Sequence, residues 1–158
     1  MAGFRRAALA GAAVATALAA GSIVVACGAG SPSTAATVKL SVEGSYIPLP
    51  AGDGMAAGYL TVRNDGSGGD RLLRVTSPGA GSVTLHHSTD TSMTEVESLP
   101  VPARGTLELA RGGNHLMIMG WQKPPAVGDH LELDLTFEHA GTIAVQVPVK
   151  PLTYRPGS

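Results

Sequence analysis

Cysteine is almost missing from this sequence: Cys27 is the only one in 158 residues. An intramolecular disulfide is therefore excluded. So is any metal site that draws a thiolate from the body of the chain, as blue copper and the usual structural zinc sites do. Basic runs are missing too. Lys and Arg number 11 against 12 acidic residues, with no patch or stripe, which argues against a nucleic-acid partner. There is no Gly-rich phosphate loop, Walker motif or His-Glu-x-x-His pattern. Ser88 beside His87 lacks a nucleophile elbow, so a catalytic serine has no support. No internal repeat and no catalytic constellation emerges, and the chain reads as a binder, not an enzyme.

What is present begins with an export signal. Arg5 and Arg6 form a positive start, Ala7 to Val25 is an uncharged small and apolar run, and Ala26-Cys27 follows. This is the layout of a secretory signal peptide over residues 1–26. Val24-Val25-Ala26-Cys27 also resembles a bacterial lipobox, in which Cys27 becomes the lipidated first residue. A plain membrane-spanning anchor and ordinary cleavage beside an incidental Cys are the alternatives. Lipidation places the chain on the extracytoplasmic face of the cell membrane, since several acyl chains anchor stably where one does not. Residues 27–37 read as the lipidated Cys and a Gly/Ser/Pro tether. Residues 38–154 form one folding domain and 155–158 a short tail. Losing Arg5 and Arg6 leaves nine basic against twelve acidic residues, a formal charge of −3.

The domain alternates apolar and polar residues in short runs: Val38–Val42, Tyr59–Arg63, Val83–His86, Thr106–Leu109, Leu131–Glu138 and Thr142–Val147. Period-two alternation marks half-buried strands. Turn residues separate them, as at Asn64-Asp65-Gly66, Ser77-Pro78-Gly79 and Arg111-Gly112-Gly113-Asn114. No ten-residue amphipathic helix is evident beyond the signal. About eight or nine strands at this spacing predict an all-β, antiparallel sandwich or barrel.

Asn114-His115-Leu116-Met117-Ile118-Met119 reads as a further strand. Leu116 and Ile118 share its core face, which leaves His115, Met117 and Met119 on the other. His86 follows Val83 and Leu85 out of the core register. Met93 stands out of register with Val96 in the same way. Imidazole suits copper and thioether sulfur selects Cu(I). A neutral set of two His and two Met favours that ion over zinc, and it survives outside the cell, where thiols oxidise. Gap-filling by core Met is the alternative reading. His87 and Met119 are possible auxiliary ligands. Met55 reads as a stray surface Met, His130 and His139 as solvated strand-end residues, and Trp121 as packing or as a shield at the site edge.

The sequence resembles the extracytoplasmic copper chaperones called PCu(A)C, whose motif is His-x10-Met-x21-His-x-Met. Met93 and His115 are separated by 21 residues, and His115-Leu116-Met117 closes the motif. The resemblance extends through Ala57–Asn64, Asp70-Arg71-Leu72, Pro102–Thr106, Gly112–Gly120 and Leu135–Glu138. One departure stands out: 6 residues, not 10, lie between His86 and Met93. The resemblance implies a cupredoxin-like Greek-key β-sandwich with His86, Met93, His115 and Met117 as Cu(I) ligands. It further implies delivery towards the CuA centre of cytochrome c oxidase. The partner would be an oxidase subunit or another copper chaperone, and the protein a monomer. A metal-free β-sandwich lipoprotein acting as an adhesion or interaction module is the competing function.

Overall fold

The computed structural model describes residues 35–52 and 54–157. Cys27, the signal peptide and most of the tether lie outside the described residues. Thr34–Ser158 forms one compact unit.

Ten strands and no helix make up the described chain. They are β1 (Leu40–Pro48), β2 (Ala56–Asn64), β3 (Asp70–Thr76), β4 (Ala80–Ser88), β5 (Met93–Glu95), β6 (Leu99–Val101), β7 (Gly105–Leu109), β8 (Asn114–Trp121), β9 (His130–Phe137) and β10 (Gly141–Lys150). They hydrogen-bond in the order β5-β4-β8-β2-β1-β10-β9-β3-β6, and β7 pairs with β2. The architecture is all-β, as the alternation predicts, with more strands than the eight or nine expected. It is also not purely antiparallel. β1 runs antiparallel to β2 through Leu40–Glu43, then joins β10 in parallel at Ile47 and Pro48. A register shift between Glu43 and Tyr46, with Gly44 at φ 61°, kinks β1, which pairs with β2 once more at Tyr46–Tyr59 before Ile47 meets β10. Such a bulge adds a residue and a kink to one strand, and glycine takes the positive φ without strain.

The core lies inside this curled sheet. Leu131, Leu133, Leu135 and Phe137 of β9 alternate with half-exposed polar residues, so every second side chain is buried. Ile47, Leu60, Val62, Leu116 and Ile118 meet them from the other half of the sheet. Two buried polar side chains fasten the loops. Asn64 donates to the Gly68 and Pro102 carbonyls at 2.7 and 3.2 Å and accepts from the Gly66 and Lys39 amides at 2.9 and 3.2 Å. All its hydrogen-bonding capacity on both ends of the amide is engaged, which is how a buried Asn avoids a desolvation penalty. The Asp70 carboxylate, its side chain fully buried, accepts from the amides of Arg71, His139 and Ala140.

Candidate metal centre

Strand pairing decides which side chains meet. β8 and β4 are antiparallel with His115 opposite His86, Met117 opposite Thr84 and Met119 opposite Ser82. Residues directly opposite in a sheet project to the same face. Leu116 and Leu85, the next pair, fall on the other face and are buried. The imidazoles of His86 and His115 come together with ring centroids 5.8 Å apart and planes inclined by 26°. Met117 follows His115 on the same face, half-buried.

Met93 reaches this face through a tight hairpin. β5 pairs with β4 so that Met93 lies opposite Ser88, two residues from His86 and in phase with it. Thr89 and Ser92 close the turn, with the Thr89 amide donating to the Ser92 carbonyl at 2.8 Å and the two hydroxyls 2.9 Å apart. The six-residue spacing thus makes a compact connection that keeps Met93 on the His86 side. Val96 turns the other way and packs against the core. Met93 is the most exposed of the four, at 55%.

The His environments differ. His115 is buried at 7% exposure, deeper than a residue facing away from the core is expected to be. Its Nδ1 donates to the Gly113 carbonyl at 3.1 Å, which leaves the Nε2 lone pair for another partner. The outer-nitrogen hydrogen bond that fixes a ligating imidazole is commonly of this kind. His86 has Nε2 2.9 Å from the Thr84 hydroxyl, and its Nδ1 is buried without any partner. An orphaned buried nitrogen costs about 1–3 kcal/mol, a cost that a metal ion on that nitrogen would offset. Among the described residues no three His, Cys, Asp or Glu side chains stand together as a metal cluster. Glu95 lies opposite His86 across the β4–β5 pairing and is exposed, while Met117 and Met93 put thioethers, soft donors that suit Cu(I), on the same face.

His87 is not brought to this cluster. It points to the opposite face, exposed, and its Nδ1 contacts the Asn114 Oδ1 at 2.9 Å. Alternation along β4 makes this unavoidable, since neighbours cannot share a face. Met119 is on the site face, beyond Met117, at 37% exposure. Trp121 lies at the far end of β8, packed against the core, and so does not shield the His pair. His130 opens β9 in the other half of the sheet, exposed. His139 is a strand-end residue as expected, but its ring also reaches Asp70 at 3.3 Å.

Tyr59 stands where β2 leaves β8, just past the Gly58–Leu116 pair. It packs against Tyr46 at 5.2 Å, and Arg111 lies over its ring at 5.4 Å. Burial raises the Tyr59 phenol above its ordinary pKa although the Arg111 charge works against it. The phenol therefore stays protonated at neutral pH and offers no phenolate ligand.

Residues 30–149 match the family described as "Putative lipoprotein LpqE-like". The chain belongs to this family. One relative, "Putative lipoprotein Lxx21020" of Leifsonia xyli subsp. xyli, is 35% identical over 128 residues, 75% of this chain and 77% of the relative. Solved structures of PCuAC domains share the fold of this LpqE-like chain. The apo PCuAC domain from PmoF1 is 28% identical, covering 73% of this chain and 97% of that one with a TM-score of 0.65. The copper-bound PCuAC domain from PmoF2 is 26% identical, covering 73% and 96% with a TM-score of 0.64. The Cu(I) form of DR1885 from Deinococcus radiodurans is 30% identical, covering 77% and 83% with a TM-score of 0.58.

Proposed function

We propose that this LpqE-like lipoprotein is a membrane-anchored, extracytoplasmic Cu(I) chaperone whose site is His86, Met93, His115 and Met117. The observation that carries the reading is the juxtaposition of the two imidazoles at 5.8 Å, with one buried His86 nitrogen unpartnered and Met117 and Met93 flanking the pair on one sheet face. The copper-bound PCuAC neighbours support the choice of metal. The name of the family supports the lipid anchor, for which Cys27 is the candidate.

His115 and Met117 hold the ion from the buried strand, and His86 closes on it from β4. Exposed Met93 is the ligand an incoming protein replaces first. Copper is cargo here: it leaves by ligand exchange, with no covalent bond of the protein made or broken. Delivery towards the CuA centre of cytochrome c oxidase, directly or through another copper chaperone, is the destination that the PCu(A)C resemblance supplies. X-ray absorption on the full chain loaded anaerobically with one equivalent of Cu(I) tests the site. A mixed shell of imidazole nitrogen and thioether sulfur is expected. A shell of nitrogen and oxygen alone contradicts it and leaves the metal-free interaction module as the better reading.

A further inference from the structure

The sheet places a fourth methionine on the site face that the sequence presents as stray. β2 pairs antiparallel with β8 so that Ala56 faces Ile118 and Ala57 faces Met117. Met55 directly precedes β2, and the same register continued one step beyond the Ala56–Ile118 pair sets it opposite Met119. One observation agrees with this. Ala56 is buried on the core face beside Ile118, so Met55 and Ala57 turn the other way. Met55 and Met119 are both exposed, at 46% and 37%.

Met117 and Met119 are two residues apart on β8, about 6.8 Å along a strand. Opposed residues on neighbouring strands bring their Cβ atoms to about 5 Å. Ala57 stands between Met55 and Tyr59 on this face and, with only a methyl group, leaves the space over Met117 open. This register brings three flexible thioethers to one face beside the His pair, on the side away from Met93. None of the three is needed by the core, which Ala56, Leu116 and Ile118 fill from the other face.

We propose that Met55, Met117 and Met119 form a second, all-thioether Cu(I) position. It shares Met117 with the histidine site, and copper passes through it on entry or exit. The inference rests on the copper reading above. Thioether sulfur is a soft, neutral donor that prefers Cu(I). Copper moving from the histidine site gives up its two Cu–N bonds and its Cu–S bond to Met93 and gains Cu–S bonds to Met55 and Met119, while Met117 stays bound. The ion remains Cu(I), so no electron or proton is required.

The test uses the full chain with 13C-methyl methionine, titrated anaerobically with Cu(I) supplied as its acetonitrile complex. In the native chain the first equivalent moves the His86 and His115 ring signals and the Met93 and Met117 methyls. In a His86→Asn/His115→Asn variant, Cu(I) binds at least tenfold more weakly but still moves the Met55, Met117 and Met119 methyls. Met93, across the His pair, stays still. Adding Met55→Leu weakens the residual binding at least fivefold further. If the Met55 and Met119 methyls do not move, or Met55→Leu leaves the residual binding unchanged, the second position is overturned and the histidine site stands. If the three methyls move in the native chain while the histidine rings do not, the histidine site fails and the thioether position survives. Should the double variant lose its native signal dispersion, His86→Asn alone, at a half-exposed ring, serves the same comparison.

Discussion

Asp70 and His86 show two fates of a buried polar group. Burial alone raises the Asp70 carboxyl, but the amides of Arg71, His139 and Ala140 and the His139 ring outweigh it and hold the pKa below the ordinary value. A carboxyl lowered in the folded state stabilises above its unfolded pKa, and that contribution is lost as pH falls through the folded value. Asp70→Asn is therefore expected to cost about 1–3 kcal/mol at pH 7. The native chain should lose that advantage over the variant as pH falls below about 4. Urea denaturation of both proteins at pH 7 and pH 3 checks this. A constant gap between them would show that the carboxylate charge is not what Asp70 contributes. The His86 Nδ1 has no such partners. Trp121 Nε1 is likewise buried without a partner, and on the copper reading His86 is the group awaiting a ligand, since native chains satisfy nearly all buried polar atoms.

Among the elements, β8 and the β4–β5 hairpin divide the work. β8 is central, paired on both edges, and presents His115 and Met117 from a fixed backbone. β5 is a three-residue edge strand with every side chain exposed. Met93→Leu should therefore weaken Cu(I) binding by only about two- to fivefold, against tenfold or more for Met117→Ala, a gap worth about 0.4–1 kcal/mol. Competition titrations of the two variants check it. A larger loss at Met93 would show that the hairpin ligand, and not the β8 ligand, anchors the ion. The phase of β8 and β4 was legible in the sequence because Leu116, Ile118 and Leu85 fix the core face. Two strands were not legible. β3 shifts register between Leu72 and Arg74, which breaks period-two alternation, and β6 is Leu99-Pro100-Val101, too short to show a period.

Across the whole molecule, what joins distant segments was out of reach of local pattern. The parallel contact of Ile47 and Pro48 with β10 links residues about a hundred positions apart, and nothing near either segment announces it. The same limit hid Met55, whose proposed place beside Met119 rests on extending the β2–β8 register. The depth of His115 also follows from the packed sheet, because alternation gives the direction of a side chain and not what covers it. The histidines outside the site face are a useful contrast. His130 begins β9, remote in the strand order from β4 and β8. His130→Ala should leave copper affinity unchanged in a Cu(I) competition assay, and a clear loss would move the site to the other half of the sheet.

The central claim is that the His86–His115 face holds Cu(I). An anaerobic Cu(I) competition titration of the full chain against its His115→Ala/Met117→Ala variant tests it most directly. Tight one-to-one binding in the native chain, reduced by a hundredfold or more in the variant while its urea midpoint stays close to native, is the predicted result. Equal and weak binding in both proteins would contradict it.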